Sequence, residues 1–83
     1  MNKEEKALFE NEELRELAKV INEFMEAVKS RLIVEFEEGK KGYMWRDPAN
    51  RDELLARLIA NAADGDMVDV AAFAAFLWNI DRR

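Results

Sequence analysis

Two aspartates stand three residues apart in "GDMVDVAAFAAFLW", residues 65–78, at the head of an almost unbroken apolar run. Residues at that spacing share one face of a helix. Asp66 and Asp69 so placed can hold a magnesium ion through carboxylate oxygens, with Asp64 as a third ligand. In the first turn of a helix the same acids cap free N–H groups and favour the dipole, which is the commoner use of such a pair. The "DGD" triplet is equally an ordinary turn.

A second set of residues lies in "KKGYMWR", residues 40–46. Tyr43 and Trp45 offer ring faces on which a nucleobase stacks, while Lys40, Lys41 and Arg46 meet phosphate oxygens. The plainer reading is a loop pinned to the core by Trp45, with its cations in solvent. Arg57 falls between Leu54 and Leu58 on a helical stretch. A half-buried arginine there needs an acidic partner, Asp66 or Asp69, or else a ligand phosphate. The chain has no cysteine and no histidine. That removes disulfides, thiolates, imidazole bases and the usual zinc ligands, so any metal is a hard cation on carboxylates.

Helices must position these groups. From Lys3 to about Phe36, the residues Leu14, Leu17, Ala18, Ile21, Phe24, Met25, Val28 and Leu32 recur at spacings of three and four. That is the stripe of an amphipathic helix. The polar run at residues 10–13, after Leu8 and Phe9, allows an early break or a short separate first helix. A weaker second stripe, Val20, Ala27 and Val34, makes the helix apolar on more than one side. "EEGKKGYMWRDPAN", residues 37–50, holds two of the three glycines and the only proline, and ends this helix. Asn50 with Glu53 reads as an N-cap and capping box opening a second helix, whose face is Leu54, Leu55, Leu58, Ile59 and Ala62. After "DGD" comes a third helix with Val70, Phe73, Ala74, Leu77 and Trp78 along one side. Val68, Ala72, Phe76 and Ile80 cover much of the rest, so it is expected to be buried on most sides. No strand-like alternation or repeat appears. The expected fold is a single all-α domain over residues 1–83: one long N-terminal helix plus two shorter helices, a bundle completed by homo-oligomerisation.

Charge bounds the partners. Acidic residues number 18 against 13 basic ones, a net −5, and the whole excess lies in residues 1–38. Such a surface argues against extended double-stranded DNA. No apolar run reaches membrane-spanning length and "MNKEEK" lacks a signal-peptide core. The expected location is cytoplasmic, with no membrane partner.

"KKGYMW", "ELLARL" and "DVAAFAAFL" together resemble the small MazG-like nucleotide pyrophosphohydrolases of phages and prophages, over roughly residues 24–80. The resemblance implies an all-α oligomer that cleaves nucleoside triphosphates between the α and β phosphates. Its magnesium is held by an E-E-x-x-E motif and a later E-x-x-D. Asp66 and Asp69 match the second motif with the first acid shortened, and Gly42 and Trp45 match a K-G-G-W-type loop. The E-E-x-x-E positions fall on Ala60, Asn61 and Asp64, so two of three carboxylates are missing. The segment between the motifs is cut short, and Ala72 replaces the family's asparagine.

Phosphoryl-type chemistry needs metal to neutralise developing charge and orient water. The leading expectation is therefore a phage-type oligomer that binds a nucleotide or nucleotide-derived signal without efficient hydrolysis. A natural use is sequestering that signal from host defence in the host cytoplasm. One alternative is a magnesium-dependent pyrophosphohydrolase working through Asp64, Asp66 and Asp69. Another is a protein-binding inhibitor whose acidic first helix meets a basic partner.

Overall fold

The computed structural model describes residues 2–39 and 45–82. Four α-helices follow in order: α1 (Lys3–Glu10), α2 (Glu12–Glu37), α3 (Arg51–Asp64) and α4 (Met67–Asp81). Among the described residues there is no strand, and no helix is long and apolar enough to cross a membrane. The all-α expectation holds. The long N-terminal helix holds as well, as α2, and the early break that the polar run allows falls at Asn11, leaving α1 as a short separate first helix.

The break has a local cause. Asn11 is extended, with φ −113° and ψ 110°, and its side-chain oxygen accepts the Leu14 N–H at 3.1 Å. Glu12 and Glu13 then fill the first turn of α2. Asparagine at an N-cap followed by acids suits a new helix start better than a continued one. Asn2 does the same for α1 through the Glu5 N–H at 2.8 Å.

The start of α3 departs from expectation. Asn50 makes no side-chain cap bond to α3. A short 3-10 turn over Pro48–Asn50 precedes the helix, and Asp47 caps that turn by accepting the Ala49 N–H at 2.9 Å. Proline fixes φ near the helical value without needing a hydrogen bond to its nitrogen. The capping position therefore moves three residues upstream.

Helices α3 and α4 form a hairpin around Gly65, which sits in the left-handed region at φ 78°. There the Asp66 N–H closes a bond to the Asn61 carbonyl at 2.9 Å, satisfying a free helix-end acceptor. At the far end Arg51 clasps Asp81 through Nε and Nη2, at 2.8 and 3.1 Å. The core lies along this hairpin. Leu54 is 2% exposed and packs with Leu77 and Ile80, flanked by Leu58, Phe73 and Phe76.

The C-terminal half of α2 packs on α4, with Val28 buried and Phe24 and Leu32 half-buried. Its N-terminal half is covered by little: Leu17, Val20 and Ile21 are more than half exposed. The Cα radius of gyration is 15.5 Å, against about 12 Å for a compact chain of this length. The buried face of α4 is also narrower than its composition suggests. Ala72, Leu77 and Ile80 are buried, but Trp78 stands 63% exposed with the Arg82 guanidinium 4.2 Å above its ring. Two helices in a chain this short cover only part of a third.

Candidate functional site

At the head of α4, Asp66 is the N-cap and accepts the Asp69 N–H at 3.1 Å. The capping role of the pair is thus present for Asp66. Arg31, reaching over from α2, adds a second one. Its Nη1 donates to Asp66 Oδ2 at 3.1 Å and to Asp69 Oδ1 at 3.0 Å. One guanidinium nitrogen therefore bridges both carboxylates and pins the start of α4 to α2.

This overturns the expected partner of Arg57. That residue lies on the exposed side of α3 and pairs with Glu53, one turn earlier, at 3.0 Å. Its carbonyl accepts the Asn61 side-chain amide at 2.8 Å. The basic residue that meets the aspartates comes instead from α2. A signal for it exists in the sequence. Arg31 shares the 3.6-residue register of Phe24, Val28 and Glu35, the least exposed line of α2.

Asp64 is exposed on the last turn of α3. Among the described residues no three carboxylates come together in a metal-binding group. The Asp66 carboxyl is held below the usual carboxylate range, first by the Asp69 N–H and then by Arg31, with partial burial opposing. Because folding lowers this pKa, the native chain binds fewer protons in acid than the unfolded one. The resulting stabilisation is complete above the unfolded value of about 4 and is lost as pH falls through the lower folded one. Asp66→Asn keeps a good capping side chain but loses the charge. Its urea midpoint should lie below that of the unsubstituted protein at pH 7, with the gap closing toward pH 2. A gap independent of pH would show that the Arg31 clip contributes nothing.

The second group of expected site residues falls largely outside this description: Lys40, Lys41, Gly42 and Tyr43 lie outside the described residues. Trp45 and Arg46 are described. Trp45 is half-buried, its ring 6.3 Å from that of Phe76, which meets Phe73 edge-on at 5.8 Å. The pinning of this segment by Trp45 is therefore real. Arg46 is exposed and lies over the Trp45 ring, 4.6 Å from its centroid. Together they make a cation–π pair at the edge of the segment.

Trp45 forms one wall of a groove of about 390 Å³ between α2 and α4. Leu32 and Phe36 of α2 and Phe76, Trp78 and Asn79 of α4 supply the other walls. Sequence spacing singles out none of these α2 and α4 residues as a ligand contact; Leu32, Phe76 and Trp78 read as core-facing, and Phe36 and Asn79 carry no signal of their own. Both tryptophans of the chain line this one groove, with Arg46 over one ring and Arg82 over the other. Such a space can take a flat apolar ring with an anionic group beside it. Compared with known proteins, the chain matches no family model, no curated protein and no solved structure.

Proposed function

We propose that the protein is a self-associating helical protein that binds a nucleotide or nucleotide-derived signal without hydrolysing it efficiently. The observation that carries this reading is Trp45, half-buried on Phe76 with Arg46 stacked over its ring at the edge of an apolar groove. In this reading Trp45 and Tyr43 stack the base, and Lys40, Lys41 and Arg46 meet the phosphates. Arg57, already held by Glu53, plays at most a supporting part. Sequestering such a signal from a host defence system suits a phage-type protein of this size.

Weak hydrolysis follows from two features. Ala60 and Asn61 stand where the resembled pyrophosphohydrolases need carboxylates. Asp66 and Asp69 already share the Arg31 guanidinium, whose positive charge lies where a magnesium ion would have to bind. Those residues, already neutralised by Arg31, do not fit a resident metal. Self-association is supported by the length of α2 that lies uncovered. Leu14, Leu17, Ile21 and Met25 run along one side of it, each at least 39% exposed. That same face favours the second reading, a protein-binding inhibitor, if the partner is a different chain.

Calorimetry against mono-, tri- and cyclic dinucleotides tests the leading reading. Micromolar binding is expected, and Tyr43→Ala and Lys41→Ala should each weaken it about tenfold or more while leaving helicity unchanged. Incubation with triphosphates and magnesium should release little pyrophosphate. If no nucleotide binds, the inhibitor reading replaces this one; if turnover appears and vanishes in Asp69→Asn, the enzyme reading does.

A further inference from the structure

Leu14, Leu17, Ile21 and Met25 continue, toward the start of α2, the helical face that holds Val28 and Leu32. This single face has two fates. From Val28 onward α4 covers it. Before Val28 it stays open, with Leu17 53% and Ile21 58% exposed even with α1 in place. Val20, 62% exposed, and the half-buried Ala18 flank the open part. Between Leu14 and Met25 the charged residues are Arg15, Glu16, Lys19 and Glu23, and helical register puts all of them on the far side. The open face is therefore apolar across its width and about 17 Å long. Its complement is an apolar helix face of the same length that brings no charge to pair.

We infer that this face is a seam between two copies of the chain, the first half of α2 packing antiparallel on the same half of the partner's α2. The inference rests on the self-association reading above and gives it a direction and a register. Direction follows from the two fates of the face. A parallel partner would lay the second half of its α2 along residues 28–36, where α4 already lies against Arg31, Leu32 and Phe36. An antiparallel partner meets only the open half.

Register follows from the ends of that half. With a two-fold axis crossing α2 near residue 19, Leu17 faces Ile21 of the partner subunit and Leu14 faces Met25 of the partner subunit. Val28 of the partner subunit then falls opposite residues 10 and 11, where the break at Asn11 has ended α2. The open stripe of one chain thus stops where the covered half of the other begins. The Trp45 groove stays outside the seam. Leu32 and Phe36 lie about 20–25 Å from the axis along α2, so the two grooves sit at opposite ends of the pair, roughly 40 Å apart. A single nucleotide does not span that distance, and each protomer holds its own.

The chain has no cysteine, so introduced thiols report the seam without background. Leu14→Cys and Met25→Cys are placed in separate chains, at positions 39% and 40% exposed that the fold of one chain does not need. Along one helix the two positions are about 17 Å apart, too far for a disulfide, whereas across the antiparallel seam they adjoin. The variants are mixed in equal amounts, allowed to exchange, oxidised and weighed by intact mass spectrometry, which resolves the three possible covalent pairs. The mixed pair, one chain of each variant, should make up nearly all the covalent dimer.

A dominant like pair of Leu14→Cys chains, or the statistical mixture of all three pairs, overturns the antiparallel seam. So does a protein that sediments as a dimer or larger species yet forms no covalent pair. In each of these cases self-association stands if the unsubstituted protein sediments as more than one chain. If it sediments as single chains, self-association fails and the seam with it.

Discussion

Leu54→Ala is expected to leave much of the protein unfolded at 37 °C. Leu54 is 2% exposed and is the largest side chain that the described fold buries fully. It holds Leu77 and Ile80 of α4 against α3, and the partly buried Leu58, Phe73 and Phe76 close around them. Removing a buried leucine to alanine costs about 2–5 kcal/mol, the upper end where neighbours cannot collapse into the space. A chain of this length has roughly 4–12 kcal/mol of stability in all. At about 4–8 °C per kcal/mol the melting temperature should fall by at least about 8 °C in a circular dichroism scan. Leu55→Ala is the control. That side chain is 37% exposed on the same helix, so its loss gives up less buried area and leaves no enclosed cavity, and the fall should be clearly smaller. A fall under about 4 °C for Leu54→Ala would mean that the hairpin core is not where the stability resides.

The second large effect is expected on assembly. Leu17→Glu combined with Ile21→Lys should leave single chains of 9.7 kDa at micromolar concentration, where the proposed self-association makes the unsubstituted protein a dimer or larger species. Leu17 is 53% and Ile21 58% exposed, so neither contributes much to the fold of one chain. Covering each by a second copy stabilises the assembly by about 1–2 kcal/mol, and burying a charge in its place costs several. In a symmetric pair every substitution acts twice. Association should therefore weaken by about a hundredfold or more, read by sedimentation velocity. Helicity should be retained, since α2 keeps its cap at Asn11 and its packing at Val28. Unchanged sedimentation would remove α2 as the seam.

The helices themselves were legible because apolar periodicity and glycine position are strong local signals. Gly65 closes α3 in the left-handed conformation that its sequence context suggests. What failed were choices between neighbouring polar residues. Asn50 and Asp47 both suit a cap, and only the turn that Pro48 sets decides for Asp47. The Asn11 break was suggested by the polar run around it, yet an apolar stripe continuing on both sides favoured one helix.

The candidate site was legible in its residue types and less so in its pairings. Asp66 and Asp69 stand out in the sequence, but the arginine it offers them is the nearer Arg57, which the sequence equally allows to meet a ligand phosphate. Arg31 lies 35 residues away from Asp66, and helical register alone places it on the packed face of α2. A charged residue on that register reads as solvated until the facing helix is known. Asn79 sits between Trp78 and Ile80 in an apolar helix, where nothing in the sequence distinguishes a buried amide from an exposed one. The packing buries it, and Arg82 occupies its oxygen.

The central claim joins assembly with nucleotide binding, and native mass spectrometry of the protein sprayed in turn with mono-, tri- and cyclic dinucleotides reads both at once. The expected spectrum shows multiples of the 9.7 kDa chain, with at least one of these nucleotides retained and released on collisional activation. Spectra of bare single chains, with none of the nucleotides retained, would contradict it.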